Sequence, residues 1–152
     1  MLGSKGSEVA IVLIFRLCVG LLLSLIFGFL CAVIGWLSFR QTALVASFIW
    51  LVVLSVGVGS GIGAMLAWWK STPSMRVTIA YIAFVLIAAM ASAAISFQVF
   101  GGGGYFVWFP EVGSIRILHM GQNVRPVLVG AVVGGNVGGA LAWLLRETRL
   151  GD

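Results

Sequence analysis

Four long stretches without charge decide what this chain can become. Residues 17–37, 43–69, 77–100 and 126–145 hold no Lys, Arg, Asp or Glu and are dominated by Leu, Ile, Val, Ala, Phe and Gly. A helix of about 20 apolar residues crosses the hydrocarbon of a bilayer, where every backbone group must be bonded internally. The composition agrees: 9% of residues are charged and 61% are hydrophobic, whereas a soluble domain carries about 25% charged residues. The expected fold is an all-α integral membrane protein, a single transmembrane domain over residues 1–152. Its spans cover about 9–38, 43–69, 77–100 and 126–146, with an interfacial loop over 101–125. The opening run is too long for a signal-peptide core and lacks a clear small-x-small cleavage site, so it reads as a retained span.

The fourth span carries a glycine face. Gly130, Gly134 and Gly138 recur every four residues, and Gly135 and Gly139 form an adjacent row. Residues four apart share one side of a helix. In water each interior glycine costs a helix about 0.8–1 kcal/mol relative to alanine. In lipid the helix persists, and glycine lets a second backbone approach closely. The second span repeats the device with Gly57/Gly61 and Gly59/Gly63. The first has a ladder of Gly20, Ser24, Gly28 and Ala32, and the third has Ala88/Ser92/Ser96 beside Ala89/Ala93. Such ladders recur across unrelated membrane proteins and identify none of them.

Polar residues gather at the ends of the runs. Arg16 lies just inside the first span and is expected to snorkel to the head-group level. Trp36 with Arg40, and Trp68, Trp69 and Lys70, mark interfaces. Residues 40–42 form a tight connector, so the first two spans should be antiparallel neighbours. Pro73 stops the chain from continuing as a helix after the second span. Gly101, Gly102, Gly103 and Gly104 are expected to break the third helix. Beyond them Tyr105, Phe106, Trp108 and Phe109 suit an aromatic belt, and Glu111 with Arg116 or Arg125 is expected to order the loop by pairing. Ile115, Ile117, Leu118 and Met120 suggest a segment lying on the membrane surface or on a partner. Pro126 stands where the first turn of the fourth helix is expected.

Residues 59–68 and 134–143 echo each other without gaps: Gly59 aligns with Gly134, Gly63 with Gly138, and Leu-Ala-Trp closes both. Two parallel helix-pair repeats are one explanation; the other is chance in a composition rich in Gly, Ala and Leu.

The formal charge of +5, from nine basic and four acidic residues, belongs to span ends, where it meets lipid head groups and sets topology. No basic cluster of the density that nucleic acid requires is present. Four spans place both termini on one side with Lys5, Lys70, Arg76, Arg146 and Arg149, and Arg16 near it, against Arg40, Arg116 and Arg125 on the other. The positive-inside rule then makes the termini cytoplasmic, with the 101–125 loop outside, in a plasma membrane of bacterial type.

Candidates for chemistry are few. His119 is the sole histidine and the one candidate ligand for a haem or pigment, although a loop position favours a plain interfacial role. Asn136, in mid-span, is expected to bond across helices, as is Gln98. Cys18 and Cys31 are too far apart on one helix to pair and read as small buried hydrophobes. No carboxylate lies in a span core, which argues against proton- or cation-coupled transport. One histidine and so few acids assemble no catalytic set, and Gly101 to Gly104 lack the phosphate-loop pattern.

The reading is therefore not an enzyme. It is a non-catalytic accessory, scaffolding or assembly subunit of a larger membrane complex, packing through its glycine faces against other membrane subunits and lipid. A homo-oligomeric small channel or passive transporter is the alternative. The sequence requires no cofactor; lipid is expected.

Overall fold

The computed structural model describes residues 3–39, 45–69, 74–101 and 117–149. Four helices make up the described chain: α1 (Gly3–Phe39), α2 (Val45–Ala67), α3 (Met75–Ser96) and α4 (Ile117–Arg149). A π-helical turn, Phe97–Gly101, extends α3. Each helix is long and apolar enough to cross a membrane, over Glu8–Ser38, Trp50–Ala67, Met75–Phe100 and Val124–Leu145.

The helices pack as an up-down bundle. Gly59 of α2 lies against Phe27 and Cys31 of α1, and Gly63 against Leu23 and Ser24, so the two run antiparallel. Gly57 and Gly61 meet Met90 and Leu86 of α3, and Gly130, Gly134 and Gly138 of α4 meet Ser96, Ser92 and Ala88 in turn. Half of the apolar stretch of α2 and of α4 is buried, against 22% for α1 and α3. The inner pair is therefore α2 and α4, each in contact with the other three helices, while α1 and α3 flank it. The outer faces of the flanking helices are large and apolar, with Leu22, Phe29 and Ile34 on α1 and Ile87 and Ile95 on α3 all exposed.

Along the bundle the core has three layers. One end is apolar: Ala32, Val53, Val56, Ala93, Phe97, Val127 and Ala131, closed by an edge-to-face contact of Trp50 with Phe97 at 5.3 Å. The other end holds Ala64, Trp68, Tyr81, Val85 and Trp143. Between them lie the buried polar residues Ser24, Ser60 and Asn136.

The echoed stretches occupy corresponding places. Gly59 and Gly63 lie against α1 as Gly134 and Gly138 lie against α3. Trp68 and Trp143 end the two stretches side by side, their ring centroids 6.4 Å apart. Within the two hairpins, α2 and α4 thus turn equivalent glycines toward α1 and α3.

Helix ends and apolar stretches do not coincide. Helix α1 begins at Gly3, ahead of an apolar stretch that starts at Glu8, and its 37 residues give a length of about 55 Å, longer than the hydrocarbon of a bilayer. Helix α2 ends at Ala67, and Trp68 and Trp69 follow as a turn. Helix α3 begins at Met75, after an extended Ser74 whose carbonyl accepts from the Thr78 backbone N–H and hydroxyl. The helical run of α3 closes with the π turn at Gly101; Gly102, Gly103 and Gly104, where the break is expected, lie outside the described residues. The largest change concerns the 101–125 loop. Residues 117–125 are helical, and Pro126 stands inside α4 instead of opening it. A proline there removes one backbone donor and is tolerated in membrane-type helices, where neighbouring groups take up the freed carbonyl. The apolar stretch itself still starts near the proline, at Val124.

Candidate functional site

The middle layer is built from one residue of each inner element and one of α1. Asn136 is 2% exposed, and Ser24 and Ser60 are fully buried. A buried amide must be hydrogen-bonded or it is costly, and this one is bonded on both sides. The Trp68 indole Nε1–H donates to Asn136 Oδ1 at 3.0 Å. Asn136 Nδ2 donates to Ser24 Oγ at 3.1 Å and to the Val132 carbonyl at 2.8 Å. One side chain of α4 thus ties α1 and the end of α2. Gly20 makes the room: a Cβ there would collide with the Asn136 amide. Gly28 similarly leaves space for the Ser60 hydroxyl, whose oxygen is buried with no hydrogen-bond partner.

Arg16 occupies the same inward column of α1 one turn before Gly20. Its Nη1 donates to the Ala67 and Trp69 carbonyls, both at 3.2 Å. The last carbonyls of a helix have no intrahelical partner and carry the negative end of its dipole, so a cation there is favourable. The guanidinium also lies over the Trp143 ring, 5.9 Å from its centroid, within cation–π range. Arg16 thus caps the C-terminal end of α2, a contact that the expectation of a snorkelling side chain did not include. Tyr81 adds a bond from its hydroxyl to the Met65 carbonyl at 3.4 Å and packs edge-on to Trp69 at 6.2 Å. Beside this cap an open groove of about 600 Å³ runs between α1 and α2, lined by Ile11, Val12, Phe15, Arg16, Leu66 and Trp69.

Chemically the layer can hold helices together. Its groups are two hydroxyls, an amide and an indole, none of which exchanges protons near neutral pH. Among the described residues no three His, Cys, Asp or Glu side chains come together as a metal site would require.

The glycines singled out in sequence all meet helices of this same chain. A Cβ at Gly57 would lie 2.7 Å from Met90 Cα, and one at Gly61 2.8 Å from Leu86 Cδ2. At Gly138 it would lie 2.9 Å from Ala88 Cβ, at Gly139 2.5 Å from Trp68 Cδ1 and at Gly135 3.3 Å from Ala64 Cβ. His119 lies on the first turn of α4 rather than in a loop; its side chain, with Tyr105, Phe106, Trp108, Phe109, Glu111 and Arg116, lies outside the described residues. Gln98 is exposed on the π turn instead of bonding inward. Cys18 is exposed and Cys31 half-buried, both free thiols, so the expected burial fails for Cys18. Trp68 and Ser24 are partners of Asn136 that the sequence does not mark as such. Trp68 was visible as part of the echo and Ser24 as part of a ladder, but no spacing joins either to residue 136.

Compared with family models, curated proteins and solved structures, the chain matches none. What the fold defines is an all-helical bundle with four helices long and apolar enough to span a membrane.

Proposed function

We propose that the protein is an integral membrane protein crossing four times, with cytoplasmic termini, and that it serves as a non-catalytic accessory or assembly subunit of a larger membrane complex. The observation that carries this is the filled axis of the bundle. Val56, Ser60, Ala64, Ala89, Ala93 and Ala131 are all fully buried. A chain whose own interior is plugged offers its outside. The wide apolar outer faces of α1 and α3 are suited to lipid and to neighbouring spans alike.

Because Gly134 and Gly138 pack on α3 of the same chain, they are the wrong positions at which to test for a partner. The outer face of α3 is the better place. Extraction in mild detergent, affinity capture and native mass measurement should recover a stoichiometric set of unrelated membrane subunits. Phe84→Ala with Ile87→Ala should weaken that capture while leaving the helix content of the chain intact. Recovery of this chain alone would count against an accessory role. Recovery of a homo-oligomer that conducts ions or solute in liposomes would move the conduit to the contact between copies.

A further inference from the structure

We propose that an anionic phospholipid is held in the groove beside Arg16, its phosphate on the outer edge of the guanidinium and its acyl portion against Ile11, Phe15 and Leu66. The proposal rests on the reading that the four helices span a membrane. It starts from the mismatch between α1 and α2: α1 continues for several turns on the N-terminal side of Arg16, past the level at which α2 ends at Ala67. The step leaves the groove of about 600 Å³ open to the outside. Its walls are apolar and uncovered, with Ile11 at 66%, Phe15 at 68% and Leu66 at 49% exposure.

The charge of the groove is one-sided. Arg16 is half-buried and bonds the two α2 carbonyls through Nη1. A guanidinium has five N–H donors in a planar fork, so donors remain for an anion, and the fork matches a phosphate. The nearest acid on α1 is Glu8, two helical turns away and itself exposed. No described carboxylate lines the groove. The chain turns polar at Lys70, directly after Trp69, which sets this end at head-group depth, where basic side chains select anionic lipid. A zwitterionic lipid would bring its own ammonium to the same guanidinium, and so fits less well.

The test uses the full chain in mixed micelles with equal amounts of palmitoyl-oleoyl phosphatidylglycerol and phosphatidylcholine, read by native mass measurement of bound lipid. Wild type should retain phosphatidylglycerol over phosphatidylcholine about fivefold, the selectivity expected of one basic side chain at the surface. Arg16→Gln should bring the ratio to one, and Arg16→Lys should keep part of it. Since Arg16→Gln also removes the cap of α2, Val12→Trp provides the independent variant: it fills the groove and leaves the guanidinium in place, and should likewise abolish the preference. A wild-type ratio of one, or an undiminished ratio in Val12→Trp, overturns the proposal. Alkaline carbonate washing of native membranes separates the two levels. Release of the chain defeats the membrane reading, whereas retention without lipid selectivity defeats the lipid site alone.

Discussion

Asn136 is where three helices meet, and Ser60, one layer-mate away, has no partner at all. The contrast makes opposite forecasts for two substitutions. Asn136→Leu keeps the volume but strands the buried Trp68 N–H and removes the partner of Ser24. It should lower stability by about 1–3 kcal/mol, read as a drop in thermal midpoint in detergent. An unchanged midpoint would mean that both groups find other partners. Ser60→Ala removes a hydroxyl that bonds nothing, and its midpoint should hold or rise. A clear loss there would reveal a partner for the Ser60 oxygen. In sequence, Asn136 was legible as an interhelical bonding residue because a lone amide among glycines has few other uses in lipid. The identity of its partners was not, because hydrogen-bond reach across 68 or 112 residues leaves no trace in spacing.

The glycine helices behave as elements whose separation is set by backbone contact. A Cβ at Gly63 would lie 2.5 Å from the Leu23 carbonyl carbon and oxygen, main-chain atoms of α1 that can move only if the helix does. At Gly135 the nearest atoms are the Ala64 and Ala89 methyls at 3.3 and 3.4 Å. Gly63→Ala should therefore push α1 from α2 and cost about 1–3 kcal/mol. Gly135→Ala should be close to neutral, since a small steric cost is offset by the better helix propensity of alanine, about 1 kcal/mol. Denaturant titration followed by helical ellipticity compares them; equal losses would show that close approach is not what distinguishes the two sites. The α1 ladder of Gly20, Ser24, Gly28 and Ala32 falls on the buried column of that helix. Small residues thus betray a helix's inward side where hydropathy, apolar all round, cannot. The start of α4 was not legible, because Gln122, Asn123 and Arg125 look like loop while the backbone continues as helix through them.

For the molecule as a whole, the up-down order fixes a topology that can be measured. If the four helices span, reporters fused to the two ends should fall in one compartment, and opposite compartments would remove one of the four crossings. Phe29, exposed on the outer side of α1 well beyond Arg16, offers a test: with Cys18 and Cys31 replaced by alanine, Phe29→Cys should resist a membrane-impermeant maleimide. Ready labelling by the impermeant reagent would place that side of α1 in water. Both experiments test the membrane reading without presuming a partner.

By itself the sequence determined that there would be four long apolar helices and which side of several of them is small. Both are local properties: hydropathy and side-chain size are written into each stretch and need no neighbour to express. Tertiary structure alone decided that Arg16 caps α2, that Trp68 and Ser24 share Asn136, and that the glycine faces of α2 and α4 are spent within the chain. The physical reason is that helices apolar on every side carry no stripe that points to a partner. Which helices pair then depends on close backbone fit and a few hydrogen bonds, and both exist only once distant segments have been brought together.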